Sequence, residues 1–162
     1  MRNSSARPAD EIEAIVHRYG NVLYRLCLVM LRNESDAEDA VQETVIKYMR
    51  KAPRLSDSEH EKAWLITVAT NTCRDMLRYR KRHPQTELEQ IQDVPVSEQE
   101  SGILEALMIL PEKFRMVLTL YYVEEYPISE IAKIIGRTPS AVKMRLKKGR
   151  ELLEEEYRKE YL

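Results

Sequence analysis

The stretch PISEIAKIIGRTPSAVKMRLKKGRELL, Pro127 to Leu153, decides how this chain is read. Ser129 to Ile135 has the spacing of a two-turn helix that turns Ile131, Ala132 and Ile135 inward. Gly136 follows where a left-handed or tight turn is needed. Thr138 is placed to cap a second helix, and Pro139 takes its first position, where the missing N–H costs nothing. Ala141 is small, as close helix crossing requires. Val142, Leu146 and Leu153 supply a buried stripe, flanked by Leu152. The outward positions are Lys143, Met144, Arg145, Lys147, Lys148 and Arg150. Long cations on a helix in the major groove neutralise phosphates or donate to guanine O6 and N7. Ser140 and the helix N-terminal N–H groups suit a phosphate. Cap, glycine turn, small residue and basic face coincide, which predicts a DNA-reading helix-turn-helix. A solvated basic helix face is the plain alternative.

Outward from this motif, composition favours helices. Hydrophobic residues make up 43% and charged residues 33% of 162, and there are only 4 glycines. No strand pattern and no internal repeat is visible. Net charge is −1, so bulk charge identifies no partner; its distribution does. Lys62 to Arg82 carries six bases against Asp75 alone. Pro84 to Glu105 carries six acids and no base, and Lys133 to Arg150 carries seven bases and no acid. Two basic blocks around an acidic one suggest two DNA-facing surfaces and a solvated connector. Cys27 and Cys73 sit apart in apolar stretches, and His17, His60 and His83 are scattered. Reduced core thiols are expected, with no metal site, cofactor or catalytic residue. No signal peptide and no membrane-spanning run is visible, so a cytoplasmic protein is expected.

The upstream part divides into helices. The first nine residues are polar and expected to fray. Ile12, Ile15, Val16 and Tyr19 open a helix with Asp10 as a plausible N-cap, and Gly20 is a candidate break before a second run ending near Leu31. Asp36 opens the next helix, which Pro53 stops. A polar loop, Leu55 to Glu61, precedes a helix from about Lys62 to Arg82, which Pro84 ends. Residues 84 to about 98 read as a flexible linker. Ile103, Leu104, Leu107 and Leu110 form a short helix ended by Pro111. Phe114, Val117, Leu118, Tyr121 and Tyr122 form another. The expectation is all-α: two small helical domains, 1–84 and 99–162, joined by an acidic linker over 85–98.

Two further patches invite functional readings. Glu34, Asp36, Glu38, Asp39 and Glu43 have no base among them. Asp36, Asp39 and Glu43 share a helix face with Gln42 beside them. A metal-dependent nuclease would need a nucleophile or histidine that nothing here supplies. A solvated helix start and a protein-docking face stay open. In AWLITVATNTCRDMLRYRKRH, Asn71 and Thr72 lie mid-helix, where they disfavour helix slightly. A polar side chain ahead of a basic tail suits an unpaired strand. A packing amide and a charged helix end explain it equally well.

Together, DAEDAVQETVIKYMRK (Asp36 to Lys51), AWLITVATNTCRDMLRYRKR (Ala63 to Arg82) and the segment from Leu110 to Leu153 resemble the extracytoplasmic-function (ECF) group of the sigma-70 family of bacterial sigma factors. The order and the short intervening linker match. The resemblance implies a transcription initiation factor with two partners, core RNA polymerase and promoter DNA, and no small-molecule substrate. It implies that Asp36, Asp39, Gln42 and Glu43 dock the β′ clamp helices, and that the second domain also meets the β flap. It implies that Asn71 contacts the non-template minus-ten strand, with Arg74, Arg78 and Arg80 as strand or backbone contacts. Ser140, Lys143, Met144, Lys147 and Lys148 then serve the minus-thirty-five element, and Arg145 and Arg150 its phosphates or the packing. An anti-sigma factor, often membrane-bound, is implied as regulator. Met144 and Lys147 depart from the residues common at these positions, so the promoter read is this chain's own.

Overall fold

A computed structural model describes residues 8–55, 57–83 and 101–161. The described helices form two compact units. The first holds α1 (Ala9–Leu31), α2 (Glu34–Lys51) and α3 (Ser58–Arg82). The second holds α4 (Ser101–Ile109), α5 (Glu112–Leu118), a π-helical turn (Thr119–Val123), α6 (Ile128–Ile135) and α7 (Pro139–Tyr161). No strand occurs among the described residues. The expected linker over 85–98 and most of the frayed start lie outside them.

In the first unit, α1, α2 and α3 all pack on one another. Leu23, Leu26, Met30 and Leu31 of α1 and Leu65 and Ile66 of α3 are closed to water, and the two helices pack together. Ala37, Ala40 and Ala69 are buried too, and their small side chains let the helices approach closely. Four boundaries differ from expectation; one is the start of α2, at Glu34 and not Asp36, because Asn33 caps it. Helix α1 starts after Pro8, so Asp10 stands in the first turn and not at the cap. It runs unbroken through Gly20, whose added Cβ would meet only Val16 at an ordinary 3.7 Å. A mid-helix glycine costs about 1 kcal/mol, which the buried stripe from Ile15 to Leu31 outweighs. Helix α3 starts at Ser58, because Asp57 caps it by accepting the His60 N–H at 2.9 Å. That hydrogen bond, ahead of smaller effects, holds the Asp57 carboxyl below its ordinary value.

The turn from α1 to α2 is two residues long. Arg32 adopts φ 57° and donates its N–H to the Leu28 carbonyl at 2.8 Å. Asn33, buried, then caps α2 by accepting the Asp36 N–H at 2.9 Å.

In the second unit, α7 is the spine against which α4, α5 and α6 pack. Gly136 ends α6 at φ 67°, the left-handed region that glycine enters without a Cβ penalty. The Thr138 hydroxyl accepts the Ala141 N–H at 3.1 Å, as its capping role requires. Val142 and Leu146 are buried, whereas Leu152 and Leu153 are only half-buried. The buried stripe is continued instead by Gly149. A Cβ there would stand 3.2 Å from Leu118 Cδ1 and 3.4 Å from Phe114 Cβ. In α5, Arg115 is buried and donates to the Leu110 carbonyl at 2.8 Å, covering the end of α4.

Candidate nucleic-acid interface

Helix α7 presents Ser140, Met144, Lys147 and Lys148 on one exposed face at helical spacing, with Lys143 beside it. Met144 is 72% exposed, so an unbranched apolar side chain stands among cations. Such a group suits a thymine methyl better than a phosphate. Arg145 is half-buried at the side of the helix. Arg150 donates to the Tyr122 hydroxyl at 3.1 Å, which turns it away from the Met144 face. It lines a groove of about 630 Å³ with Leu107, Leu118, Val123, Leu153 and Tyr157. The π-helical turn builds that groove. Its wide backbone spacing, with Glu124 N–H reaching the Thr119 carbonyl at 3.1 Å, leaves Tyr122 and Val123 exposed.

In the first unit, Asp39, Gln42 and Glu43 are exposed on α2. Ile46, 38% exposed, continues the same face one turn on, an apolar contact the sequence reading did not single out. The acidic field at this end is felt by Tyr24. Burial first, then the Glu34 and Glu38 carboxylates, push its phenol above the ordinary value. On α3, Asn71 and Arg78 are exposed and Arg74 is half-buried. Arg78 pairs with Asp75 at 3.2 Å.

Arg80 and Asp36 pair with each other. Arg80 is only 6% exposed and faces the opposite side of α3 from Asn71. Its Nη1 donates to the Leu31 carbonyl at 2.6 Å, and its Nη2 binds the Asp36 carboxylate. One side chain thus ties the end of α1, the start of α2 and the end of α3 together. Arg80 uses its charge inside the unit, whereas Asp36 is half-buried, with a side chain 23% exposed. Burial, then the charge of Arg80, pulls the neighbouring Arg32 guanidinium below its ordinary value.

Cys27 and Cys73 are buried free thiols. Among the described residues no group of three or more His, Cys, Asp or Glu side chains could hold a metal. None of their helices is long and apolar enough to cross a membrane.

Among the described residues, two helical units, one with a helix-turn-helix whose second helix carries an exposed basic face, have the form of a DNA-binding protein. Residues 15–83 match the family model of sigma-70 region 2, and residues 101–153 match that of sigma-70 region 4. The chain is 30% identical over 168 residues to the ECF RNA polymerase sigma factor SigW of Bacillus subtilis, covering 92% of this chain and 90% of that one. It is 29% identical to the ECF sigma factor SigM of Mycobacterium tuberculosis, covering 87% and 74% respectively. Among solved structures, the fold is similar to the sigma factor RpoE in complex with the anti-sigma factor NepR from Bartonella quintana. That match has a TM-score of 0.77 and 22% identity, covering 93% of this chain and 98% of the other. CnrH in complex with the cytosolic domain of CnrY gives a TM-score of 0.62 at 21% identity, covering 91% and 87%. The chain belongs to the ECF group of the sigma-70 family of RNA polymerase sigma factors. As such it serves transcription initiation, binding core RNA polymerase and promoter DNA.

Proposed function

We propose that the two units divide the work of initiation. The first, residues 1–84, docks on the β′ clamp helices through Asp39, Gln42, Glu43 and Ile46, and holds the non-template minus-ten strand with Asn71, Arg74 and Arg78. The second, residues 99–162, reads the minus-thirty-five duplex with Ser140, Lys143, Met144, Lys147 and Lys148, with Arg145 at the phosphates. Residues 85–98 connect them. One observation carries the reading. The exposed acidic face of α2 and the exposed Asn71 side of α3 belong to one compact unit, tied together through Arg80. A factor built so orients the melted strand relative to the polymerase that holds it. The protein performs no covalent chemistry; its binding energy shifts the melting equilibrium.

The groove beside Tyr122 supports docking of the β flap, with Arg150 and Glu154 as its polar rim. The two solved structures described above are complexes, one with a named anti-sigma factor. This supports a regulator of that kind here, covering the polymerase-facing surfaces. The place of action is the cytoplasm.

Promoter-dependent transcription with reconstituted core polymerase tests the reading, and no initiation above core alone refutes it. Asp39→Ala lowers core binding and leaves duplex binding by α7 unchanged. Lys148→Ala weakens duplex binding by about 1–3 kcal/mol with relaxed specificity if it meets a base. Equal losses on all sequences make it a phosphate contact instead.

A further inference from the structure

The carboxy-terminal end of α3 holds an aromatic pair that the reading above does not use. The Tyr79 and His83 rings stack with centroids 4.0 Å apart and planes inclined by 21°. His83 Nδ1 lies 2.9 Å from the Tyr79 carbonyl oxygen, which fixes the imidazole over the phenol. One face of Tyr79 is thereby covered, yet the residue is still 53% exposed, so the other face is open to water. Arg78 and Arg82 lie beside the pair on the helix surface and Lys81 on the far side of the helix, all exposed. Asp75 pairs with Arg78, so the local charge stays positive.

We infer that Tyr79 and His83 form a stacking platform for an unpaired nucleobase, separate from the contact made by Asn71. A flat π-face held rigid by a second ring meets a base with little loss of side-chain freedom. The cations beside it meet the backbone phosphates of the same strand. Tyr79 lies eight residues beyond Asn71, about 12 Å along the helix, so the two engage different nucleotides. Stacking tolerates every base, since each has a π-face. The platform therefore adds affinity for melted DNA without narrowing the sequence read. A charged helix end needs no such pair, because the basic run alone satisfies the helix dipole.

This inference rests on α3 being the strand-binding helix, and the test separates the two claims. Holoenzyme binding is measured on a fork-junction fragment with an unpaired non-template extension, and on the same fragment fully paired. In a second series, 2-aminopurine replaces each unpaired base in turn. Tyr79→Ala is expected to weaken fork binding by about tenfold, within the range for one lost base stack, and to leave duplex binding unchanged. Tyr79→Phe retains binding, and His83→Ala loses an intermediate amount. At one position 2-aminopurine is quenched by the wild type and by Tyr79→Phe but not by Tyr79→Ala. If Asn71→Ala weakens fork binding while Tyr79→Ala binds as the wild type does, the platform is wrong and α3 keeps its role. If neither variant weakens it, both claims fall. Equal losses on fork and duplex, or no quenched position, also overturn the platform. Tyr79 is exposed, so unchanged Trp64 emission confirms that each variant is folded.

Discussion

Replacing Arg80 tests whether it belongs to the fold or to the DNA interface. Arg80→Met keeps an apolar stem of similar reach and removes the guanidinium. The Leu31 carbonyl then loses a 2.6 Å hydrogen bond, and the Asp36 carboxylate loses its cation. Breaking one side of a buried pair costs about 3–5 kcal/mol. Two features trim that figure. The Asp36 side chain is 23% exposed, so water reaches the orphaned carboxylate. Removing Arg80 also relieves the like-charge pressure on Arg32. A loss of about 2–4 kcal/mol follows, and it falls on the first unit alone. Trp64, the only tryptophan, lies in α3, so its emission during urea unfolding reports that unit selectively. The circular-dichroism transition of the second unit should stay where it is. Adding Asp36→Leu should recover part of the loss, because an apolar pair leaves no orphaned charge. Wild-type stability combined with weakened binding of the unpaired strand would refute this account and return Arg80 to the DNA interface.

Other perturbations separate space from backbone in the second unit. Gly149→Ala gains helix propensity but forces a Cβ to 3.2 Å from the buried Leu118 and 3.4 Å from Phe114. Crowding should win by about 1 kcal/mol, seen as a lower unfolding midpoint, with Gly149→Val losing more. Gly136→Ala meets nothing within 4 Å, so any loss comes from φ 67° alone. It should cost about 1–2 kcal/mol, and Gly136→Asn less. Asp57 titrates below its ordinary value because it accepts the His60 N–H. A depressed folded pKa means that its cap stabilises above the unfolded value and fades as pH falls through the folded one. Far-UV circular dichroism of wild type and Asp57→Asn should therefore converge in acid, since the amide caps without titrating. Parallel acid profiles for the two proteins would contradict this.

The helix-turn-helix was legible in the sequence because every signal in it is local. Gly136, Thr138 and Pro139 act within one turn of their own positions, and Ile131, Val142 and Leu146 keep the helical period that burial later uses. The acidic start of α2 was legible for the same reason. Gly20 misled because a local helix-breaking preference is small against a long buried stripe. Asp57 as the α3 cap was missed, although an aspartate three residues before a free N–H is the usual signal.

The inward turn of Arg80 could not be seen among Arg74, Arg78, Lys81 and Arg82. Which cation of a basic run faces the core depends on how α3 rotates against α1 and α2, and its partners lie 49 and 44 residues away. The groove beside Tyr122 needs the π-helical turn, and Gly149 needs Phe114 and Leu118 opposite it. By itself the sequence determined the helices, the reading motif and the family, all of which follow from short-range rules and ordered motifs. Only the tertiary structure decided which charged side chains hold the first unit together and which stay at its surface. That division depends on packing between helices distant in the chain.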